Sequence, residues 1–186
     1  ANTEIINLVA KKIAEYNLDR VVLDPVMVAK SGYFLLEEGD EKQLIEKLLP
    51  LVTVVTPNIP EAEIISGMEI EDLADMKEAA KKIKALGADN VLIKGGHLPG
   101  DQITDLLLVD DQFITYQFSK IDSKNTHGTG CTLSSAIAAS LAKGHLLADA
   151  VETAREYVYQ AITKAPVNIG TGHGPMYHNA EISCIE

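Results

Sequence analysis

Residues 87–97 read GADNVLIKGGH, and this stretch decides the fold class. Gly87 ends a run of helical periodicity, and the apolar triplet Val91-Leu92-Ile93 follows it closely. A strand that is apolar at every position is typical of a parallel sheet, whose two faces are both buried. Lys94 and two glycines then end the strand. The stretch therefore predicts a buried strand that opens into a polar loop, as in α/β proteins.

The rest of the chain repeats this alternation of helix and buried strand. Further buried strands are predicted at residues 21–23 and 52–55, and a hairpin at residues 103–118 turns at Asp110-Asp111. Helices are predicted at about residues 3–16, 41–49, 60–67, 73–86, 130–142 and 147–165. We expect an α/β fold with a central, mostly parallel sheet, helices on both faces and an antiparallel hairpin at one edge. Residues 1–186 are predicted to form a single domain.

Composition and charge exclude several classes of function. The 186-residue chain has a net charge of -11, with 16 Lys and Arg against 27 Asp and Glu. Clustered Lys and Arg bind nucleic-acid backbones, so a nucleic-acid partner is not expected, although a single nucleotide needs only a few amides, a lysine and a metal ion. No apolar run is long enough to cross a membrane. Cys131 and Cys184 do not suggest a disulfide framework, so a cytoplasmic protein is expected.

Polar residues follow the predicted strands at the sheet edge where α/β proteins bind ligands. Asp24, Asn58 and Lys94 each lie at or just after a strand end. Asn58 and Glu61 fit a capping box, with Pro60 in the first helical turn, or an amide and a carboxylate that hold a hydrated Mg²⁺, and both interpretations can be true together. Lys94 either extends to solvent or reaches phosphate oxygens. Asp24 either ends its strand or lies near the metal and phosphates.

A second candidate site lies at residues 125–132, which read NTHGTGCT and lead into a predicted helix. Glycines such as Gly128 allow the backbone to approach a ligand, and the amides of a first helical turn bind anionic oxygens. The alternative is a loop-to-helix junction that needs glycine only for tight packing. Cys131 falls in the first turn, where the helix dipole favours a thiolate, unless it is a buried structural cysteine. The five histidines, His127 among them, lack the paired spacing of a zinc site.

Five stretches, taken in order, resemble a known family. They are residues 24–32 (DPVMVAKSG), 56–63 (TPNIPEAE), 93–97 (IKGGH), 125–132 (NTHGTGCT) and 172–175 (GHGP). In this order and spacing the chain resembles the ribokinase-like kinases, and within them the hydroxymethylpyrimidine/phosphomethylpyrimidine kinases of bacterial thiamine biosynthesis. The resemblance implies a ribokinase-like fold. It also implies ATP-dependent phosphorylation of 4-amino-5-hydroxymethyl-2-methylpyrimidine and then of its monophosphate.

The resemblance also implies a role for each candidate residue. By position, the metal ligands for Mg²⁺ are Glu61 and Asn58, and the residues that bind ATP phosphates are Lys94, Asp24 and Thr126. The catalytic residues are Cys131 and an anion hole formed by Gly128, Thr129 and Gly130. The pyrimidine contacts are the Val26 backbone and, again, Cys131. Most ribokinase-like enzymes have an aspartate, the general base, where this chain has Cys131. Cysteine at that position is a feature of the pyrimidine-kinase branch, so it supports the narrower assignment and leaves the identity of the base open.

Two other functions stay open. Some kinases of the same branch phosphorylate pyridoxal and share the cysteine, so a pyridoxal/pyridoxine kinase is the first alternative. The chain begins at Ala1 with a helical pattern and lacks the family's glycine-rich N-terminal segment, early strands and lid. We therefore expect the front of a larger protein to be missing, and a truncated, non-catalytic nucleotide-binding module is the second alternative. The resemblance also suggests a homodimer.

Overall fold

The computed structural model describes residues 2–27, 39–97, 100–166 and 174–180. Their elements are, in order, α1 (Thr3–Glu15), β1 (Val22–Leu23), α2 (Asp40–Lys47), a 3₁₀ turn (Leu49–Leu51), β2 (Val54–Val55), α3 (Ile59–Ser66), α4 (Leu73–Ala85), β3 (Val91–Ile93), β4 (Gln102–Val109), β5 (Gln112–Ser119), α5 (Thr129–Ala142) and α6 (Leu147–Thr163). They fall into two compact units, a first unit of residues 1–118 and a second unit of residues 119–186. Among the helices in these ranges, none is both long and apolar enough to cross a membrane.

The sheet runs in the order β1-β2-β3-β4-β5. The first three strands are parallel, with Leu23 opposite Val55 and Val55 opposite Val91, whereas β4 runs antiparallel to β3. Asp110 and Asp111 connect β4 to β5 with φ angles of 48° and 58°. Positive φ at both turn residues matches the right-handed twist of a hairpin. The predicted α/β sheet with an antiparallel edge hairpin is therefore confirmed.

The parallel strands are fixed by burial on both faces. The side chains of β2 and β3 are completely buried, and α4 packs Met76, Ala79 and Ile83 into the same core. Removing a branched side chain of this kind from water contributes about 1.5–3 kcal/mol, so the strands cannot shift without losing several such terms. The positions of the residues that follow each strand are therefore fixed by the packing of the sheet.

Local signals in the sequence set the helix boundaries in the first unit. The Asn2 side chain accepts a hydrogen bond from the Ile5 amide at the start of α1, at 3.1 Å. Asp72 likewise accepts the amides of Ala74 and Asp75 at the start of α4. Such caps satisfy amides that have no partner within the helix. The predicted boundaries of both helices accordingly agree with the structure to within a residue.

The second unit consists mainly of two packed helices. Leu133, Ile137 and Leu141 form the buried stripe of α5, and α6 contributes small buried residues, including Ala150 and Ala154. Small side chains let two helix backbones approach closely, and α5 and α6 are in extensive contact along their length. The two helices therefore support each other and hold the start of α5 in place.

Candidate active site

The carboxyl ends of the three parallel strands bring two charged side chains together. Lys94, directly after β3, places its Nζ 2.8 Å from Oδ1 of Asp24, directly after β1. The two side chains are only 13% and 15% exposed. Thr56, after β2, lies between these strands and directs its Oγ1 to the same Asp24 oxygen, at 3.4 Å. The pair is therefore a partly desolvated ion pair at the sheet edge where ligands bind in this fold class.

Asn58 and Glu61 lie next to this pair. The Lys94 amide donates to the Pro57 carbonyl at 2.8 Å, which places Asn58 beside Lys94 as an extension of the parallel sheet. Asn58 Oδ1 accepts the Glu61 amide at 2.9 Å, and Glu61 Oε2 accepts the Asn58 amide at 2.8 Å. The predicted capping box is thus present at the start of α3. We call Asp24, Asn58, Glu61 and Lys94 the strand-end cluster.

Glu61 is an unusual member of this cluster because it is almost completely buried, at 2% exposure. Burial raises the pKa of its carboxyl group above the ordinary value of 4.5, and the negative charge of Asp24 acts in the same direction. The backbone hydrogen bond from Asn58, the charge of Lys94 and a backbone hydrogen bond from Met27 oppose this shift. A buried carboxylate of this kind is stabilised when a further positive charge comes close.

The oxygen atoms of the strand-end cluster fit a magnesium ion. Mg²⁺ takes oxygen ligands, keeps several of its waters and is usually held by one or two carboxylates together with substrate phosphates. Asp24 and Glu61 supply two carboxylates, and Asn58 supplies an amide oxygen. Within the part of the chain that the structure describes, no group of three or more His, Cys, Asp or Glu side chains is placed to hold a metal ion. The donor set thus suits a hydrated ion shared with a ligand rather than an ion enclosed by protein.

Two residues at this edge were not recognised in the sequence. One is Thr56, which is fully buried beside Asp24. The other is Asp105 on β4, which is also fully buried and accepts the Gly95 amide at 2.8 Å. A signal for Asp105 was present, because a single aspartate interrupts the apolar strand QITDLLLV. An acidic residue at a core position requires hydrogen-bonding partners, and one of them here is the Gly95 amide, directly after Lys94.

The second unit contains the segment of residues 125–132, which we call the glycine segment. Gly128 stands at the N-terminal end of α5 with φ of +79°, a backbone conformation that favours glycine. Its carbonyl accepts the Thr132 amide at 2.9 Å, which starts the helix, and Thr129 Oγ1 donates to the Thr126 carbonyl at 3.3 Å. The amides of Thr129 and Gly130 belong to the first turn, whose amides have no carbonyl acceptors inside the helix.

Contacts within the second unit hold the glycine segment in place. The Asn125 side chain donates to the Pro166 carbonyl at 3.0 Å, and the backbone of His127 pairs with that of Pro175. His173 and the preceding residues of the late motif lie outside the described residues, as do residues 28–32 of the first motif. The segment is thus anchored on both sides of Thr126, directly before the helix begins.

Cys131 is exposed, so the alternative of a buried structural cysteine is wrong. It lines an open depression of about 400 Å³ along one side of α5, which is also lined by Thr132, Ser135, Ala136, Tyr157 and His178. Tyr157 and His178, which both line the depression, are joined by a hydrogen bond from the Tyr157 hydroxyl to the His178 carbonyl at 2.8 Å. Cys131 is therefore accessible from this side of α5.

Val26, the other predicted pyrimidine contact, lies just after Asp24 in the first unit. Its side chain is 40% exposed, and its amide donates to the Asp24 carbonyl at 2.9 Å. Because that amide is engaged within the chain, the carbonyl and side chain of Val26 are the groups left for a ligand.

Comparison with known proteins identifies the family. The model of the family described as "Phosphomethylpyrimidine kinase" matches residues 1–177. The chain belongs to the phosphomethylpyrimidine kinase family. It is 45% identical over 180 residues to the hydroxymethylpyrimidine/phosphomethylpyrimidine kinase of Bacillus subtilis, covering 96% of this chain and 66% of the relative. It is 46% identical over 182 residues to the Haemophilus influenzae protein of the same name, covering 95% and 67%.

A solved structure supports the same family and fold. The pyridoxal kinase of Bacillus subtilis, solved as an ADP complex, matches with a TM-score of 0.84 at 41% identity, over 96% of this chain and 66% of that one. The predicted ribokinase-like α/β fold and the predicted family are thus both confirmed. The chain spans about two thirds of the length of these relatives. Every candidate residue named above lies within the range that the family model matches.

Proposed function

We propose that the complete protein phosphorylates 4-amino-5-hydroxymethyl-2-methylpyrimidine and then its monophosphate, with ATP as the phosphoryl donor, in thiamine biosynthesis. The observation that carries the proposal is the strand-end cluster, in which Lys94 and two carboxylates meet at the ligand-binding edge of the sheet. The names of the curated relatives support the choice of acceptor. We further propose that residues 1–186 act as one kinase domain, in a cytoplasmic homodimer, as the family resemblance suggests.

The strand-end cluster would bind the phosphates of ATP. Lys94 is held by Asp24 at 2.8 Å and, as a mobile cation on a fixed strand end, can turn its ammonium group to phosphate oxygens. Asp24, Asn58 and Glu61 would hold Mg²⁺ through oxygen atoms and water. When bound, the ion would neutralise charge on the phosphates. Because Glu61 is buried, bulk water is kept away from one side of the strand-end cluster.

The glycine segment would stabilise the phosphoryl group during transfer. Phosphoryl transfer depends mainly on positioning and electrostatics, because charge spreads over the equatorial oxygens. The first-turn amides at Thr129 and Gly130, together with the helix dipole, supply donors of fixed orientation for that charge. Thr126 would contact the nucleotide phosphates. These donors need no reorganisation, because Gly128 already has the required backbone conformation.

Cys131 and Val26 would contact the pyrimidine. The exposed Cys131 thiol lies in the first turn of α5, on the chain directly after the anion-binding amides. As the acceptor oxygen forms its bond to phosphorus, its proton must leave, and Cys131 stands where related kinases have an acidic residue. General-base assistance is worth about 10²–10⁴-fold in rate, so a weaker base than aspartate is compatible with turnover.

The test uses the full-length protein with Mg·ATP and the hydroxymethylpyrimidine, with products followed by mass spectrometry. We expect the monophosphate first and the diphosphate later, together with two equivalents of ADP. A matched Lys94→Ala protein should form both products more slowly at low ATP concentration. If wild-type protein forms neither phosphate ester, the proposed function is wrong, and the pyridoxal kinase and the non-catalytic module are the alternatives left.

Pyridoxal is a second candidate acceptor. It is favoured by the structural match to the Bacillus subtilis pyridoxal kinase, which is 41% identical to this chain. Both acceptors are heteroaromatic rings that carry a hydroxymethyl group. The ratio of kcat/KM for the pyrimidine to kcat/KM for pyridoxal decides between them, and a ratio below one reverses our choice. Light scattering of the eluted protein would test the homodimer, and cell fractionation would test the cytoplasmic location.

A further inference from the structure

A buried acidic residue supports the strand end that carries Lys94. Asp105 lies in β4 directly before Leu106, Leu107 and Leu108, and its side chain is completely buried. Its Oδ1 accepts the Gly95 amide at 2.8 Å. Burial of a carboxyl group costs free energy that an apolar residue at the same position would not cost. The hydrogen bond from the Gly95 amide offsets part of this cost and ties Asp105 to the backbone beside Lys94.

The register of the sheet shows what the carboxyl group does. Between β3 and β4, Val91 pairs with Leu108 and Ile93 pairs with Leu106. If the same register continued, Gly95 would face Thr104. The Gly95 amide turns instead to the side chain of Asp105. The antiparallel ladder thus ends at Ile93, and a side-chain oxygen replaces the next backbone acceptor.

Gly95 itself makes this arrangement possible. A Cβ atom at this position would lie 1.9 Å from the Thr104 carbonyl oxygen, far inside any tolerated contact. The backbone after Lys94 is thus pressed against β4 on one side and bonded to Asp105 by its amide. On the other side, the Lys94 amide is bonded to the Pro57 carbonyl at 2.8 Å. The Lys94 amide is therefore held by the segment after β2, and the Gly95 amide is held by β4.

We propose that Asp105 is a positioning residue for Lys94. By anchoring the Gly95 amide, its carboxyl oxygen fixes the backbone from which the Lys94 side chain extends to Asp24. This fixed backbone places the ammonium group for the phosphates of ATP. The inference rests on the proposed function, because it assigns Lys94 to phosphate binding. Asp105 acts through the backbone and takes no part in the chemistry.

The first test compares two substitutions of Asp105 in the full-length protein. Asp105→Leu removes the acceptor, whereas Asp105→Asn keeps a carbonyl oxygen for the Gly95 amide. Loss of a hydrogen bond to a carboxyl group should weaken Mg·ATP binding, measured by calorimetry, about tenfold in Asp105→Leu. Asp105→Asn should stay within about threefold of wild type, because the acceptor is retained. In the kinase assay the KM for ATP should rise by more than kcat falls.

Leu107→Ala is the matched control. Leu107 lies two residues along β4, on the same face as Asp105, and is equally buried. Its truncation removes core packing and should lower Tm while leaving the Mg·ATP dissociation constant within about twofold of wild type. If Leu107→Ala weakens nucleotide binding as much as Asp105→Leu, the effect is a general loss of stability, and the positioning role is wrong.

A double variant tests whether Asp105 acts through Lys94. If it does, Lys94→Ala combined with Asp105→Leu should bind Mg·ATP within about twofold of Lys94→Ala alone, because the two losses share one cause. Fully additive losses would overturn the inference. If Asp105→Leu does not fold, Asp105→Ala removes the same acceptor without adding bulk: a comparable loss of Mg·ATP affinity supports the inference, and wild-type affinity overturns it. Wild-type protein that fails to bind Mg·ATP overturns the proposed function itself, whereas normal wild-type binding with no effect of Asp105→Leu overturns only the positioning role.

Discussion

Under the proposed function, the strand-end cluster and the glycine segment would bind anions in opposite ways. The strand-end cluster uses charged side chains, and their positions depend on strands that are buried on both faces. The glycine segment uses backbone amides at the start of α5, where the residue that matters most has no side chain. Side-chain charges can be changed by substitution or by protonation. Backbone amides cannot be deleted, and they can only be covered or displaced.

This difference predicts which perturbations each site tolerates. The strand-end cluster should respond to loss of charge and to pH, and it should affect mainly the affinity for ATP. The glycine segment should respond to added bulk and should affect mainly the rate of transfer, because its donors match charge that develops in the transition state. The four predictions below test this division, from the largest expected effect to the smallest.

Gly128→Ala should have the largest effect. The residue has φ of +79°, and an alanine there either strains the backbone or moves the first-turn amides. Loss of preorganised donors of this kind costs about 10²–10³-fold in kcat, so we expect a decrease in this range with the KM for ATP little changed. Steady-state kinetics of the full-length protein measures both.

Gly144→Ala is the matched control for this change. Gly144 follows the other end of α5 with φ of +92°, and a Cβ atom added to either glycine would have no heavy atom of another residue within 4 Å beyond its immediate neighbours. Both substitutions therefore carry a similar backbone strain of about 1–2 kcal/mol. Only Gly128→Ala should lower kcat. Equal losses of kcat in the two variants would mean that the glycine segment has no special role in transfer.

Cys131→Ala should keep ATP binding and lose most of the turnover. The thiol is exposed in the first turn of α5, and under the proposed function it would contact the acceptor or assist removal of its proton. We expect kcat to fall about 10²-fold, within the usual range for an acid–base group, with the dissociation constant of Mg·ATP unchanged. Ser135→Ala, one turn further along the same depression, serves as the control. Unchanged kcat in Cys131→Ala would remove the thiol from the mechanism.

Lys94→Ala should raise the KM for ATP about tenfold or more and change kcat less, because a charge-assisted contact to phosphate is worth about 1.5–3 kcal/mol. Lys84→Ala is a suitable control, since Lys84 also forms an ion pair in the first unit, with Asp111 at 2.6 Å. That pair has a highly exposed partner and should contribute little. An unaltered KM in Lys94→Ala would make the strand-end lysine purely structural.

How much of this could be predicted from the sequence depended on whether the signal was local. The strand ends at Asp24 and Lys94 were predicted because each follows an apolar run directly, and the cap at Asn58 because its partner Glu61 is three residues away. The bond from Gly95 to Asp105 was missed because it depends on the register between β3 and β4, which no short stretch encodes.

Burial was the other property that the sequence left open. Cys131 allowed a buried and an exposed interpretation, because its burial depends on which side of α5 packs against α6. Leu133, Ile137 and Leu141 take the buried stripe, and this leaves Cys131 outside it. The near-complete burial of Glu61 was likewise hidden, since a capping glutamate at a helix start is usually solvated.

The smallest expected effect is a pH dependence of stability that only the strand-end cluster should show. The pKa of Glu61 is raised by burial, so the folded protein holds this proton more tightly than the unfolded chain does. The contribution of Glu61 to the free energy of unfolding is therefore greatest below pH 4.5, and it falls as the pH rises from 4.5 through the raised pKa. Glu61→Gln keeps a capping side chain and removes the titration. Its free energy of unfolding, relative to wild type, should increase as the pH rises through this window.

The same measurement with magnesium present tests whether Glu61 helps to hold the ion. If Glu61 helps to hold the ion, then Mg·ADP should favour the carboxylate and move the wild-type transition to lower pH, with no such movement in Glu61→Gln. Glu78→Gln, a change at an exposed glutamate of α4, controls for the loss of one negative charge. A wild-type profile parallel to that of Glu61→Gln at every pH would show that the buried carboxyl group does not titrate in this range. The strand-end cluster would then differ from the glycine segment in its dependence on side-chain charge, but not in a dependence on pH.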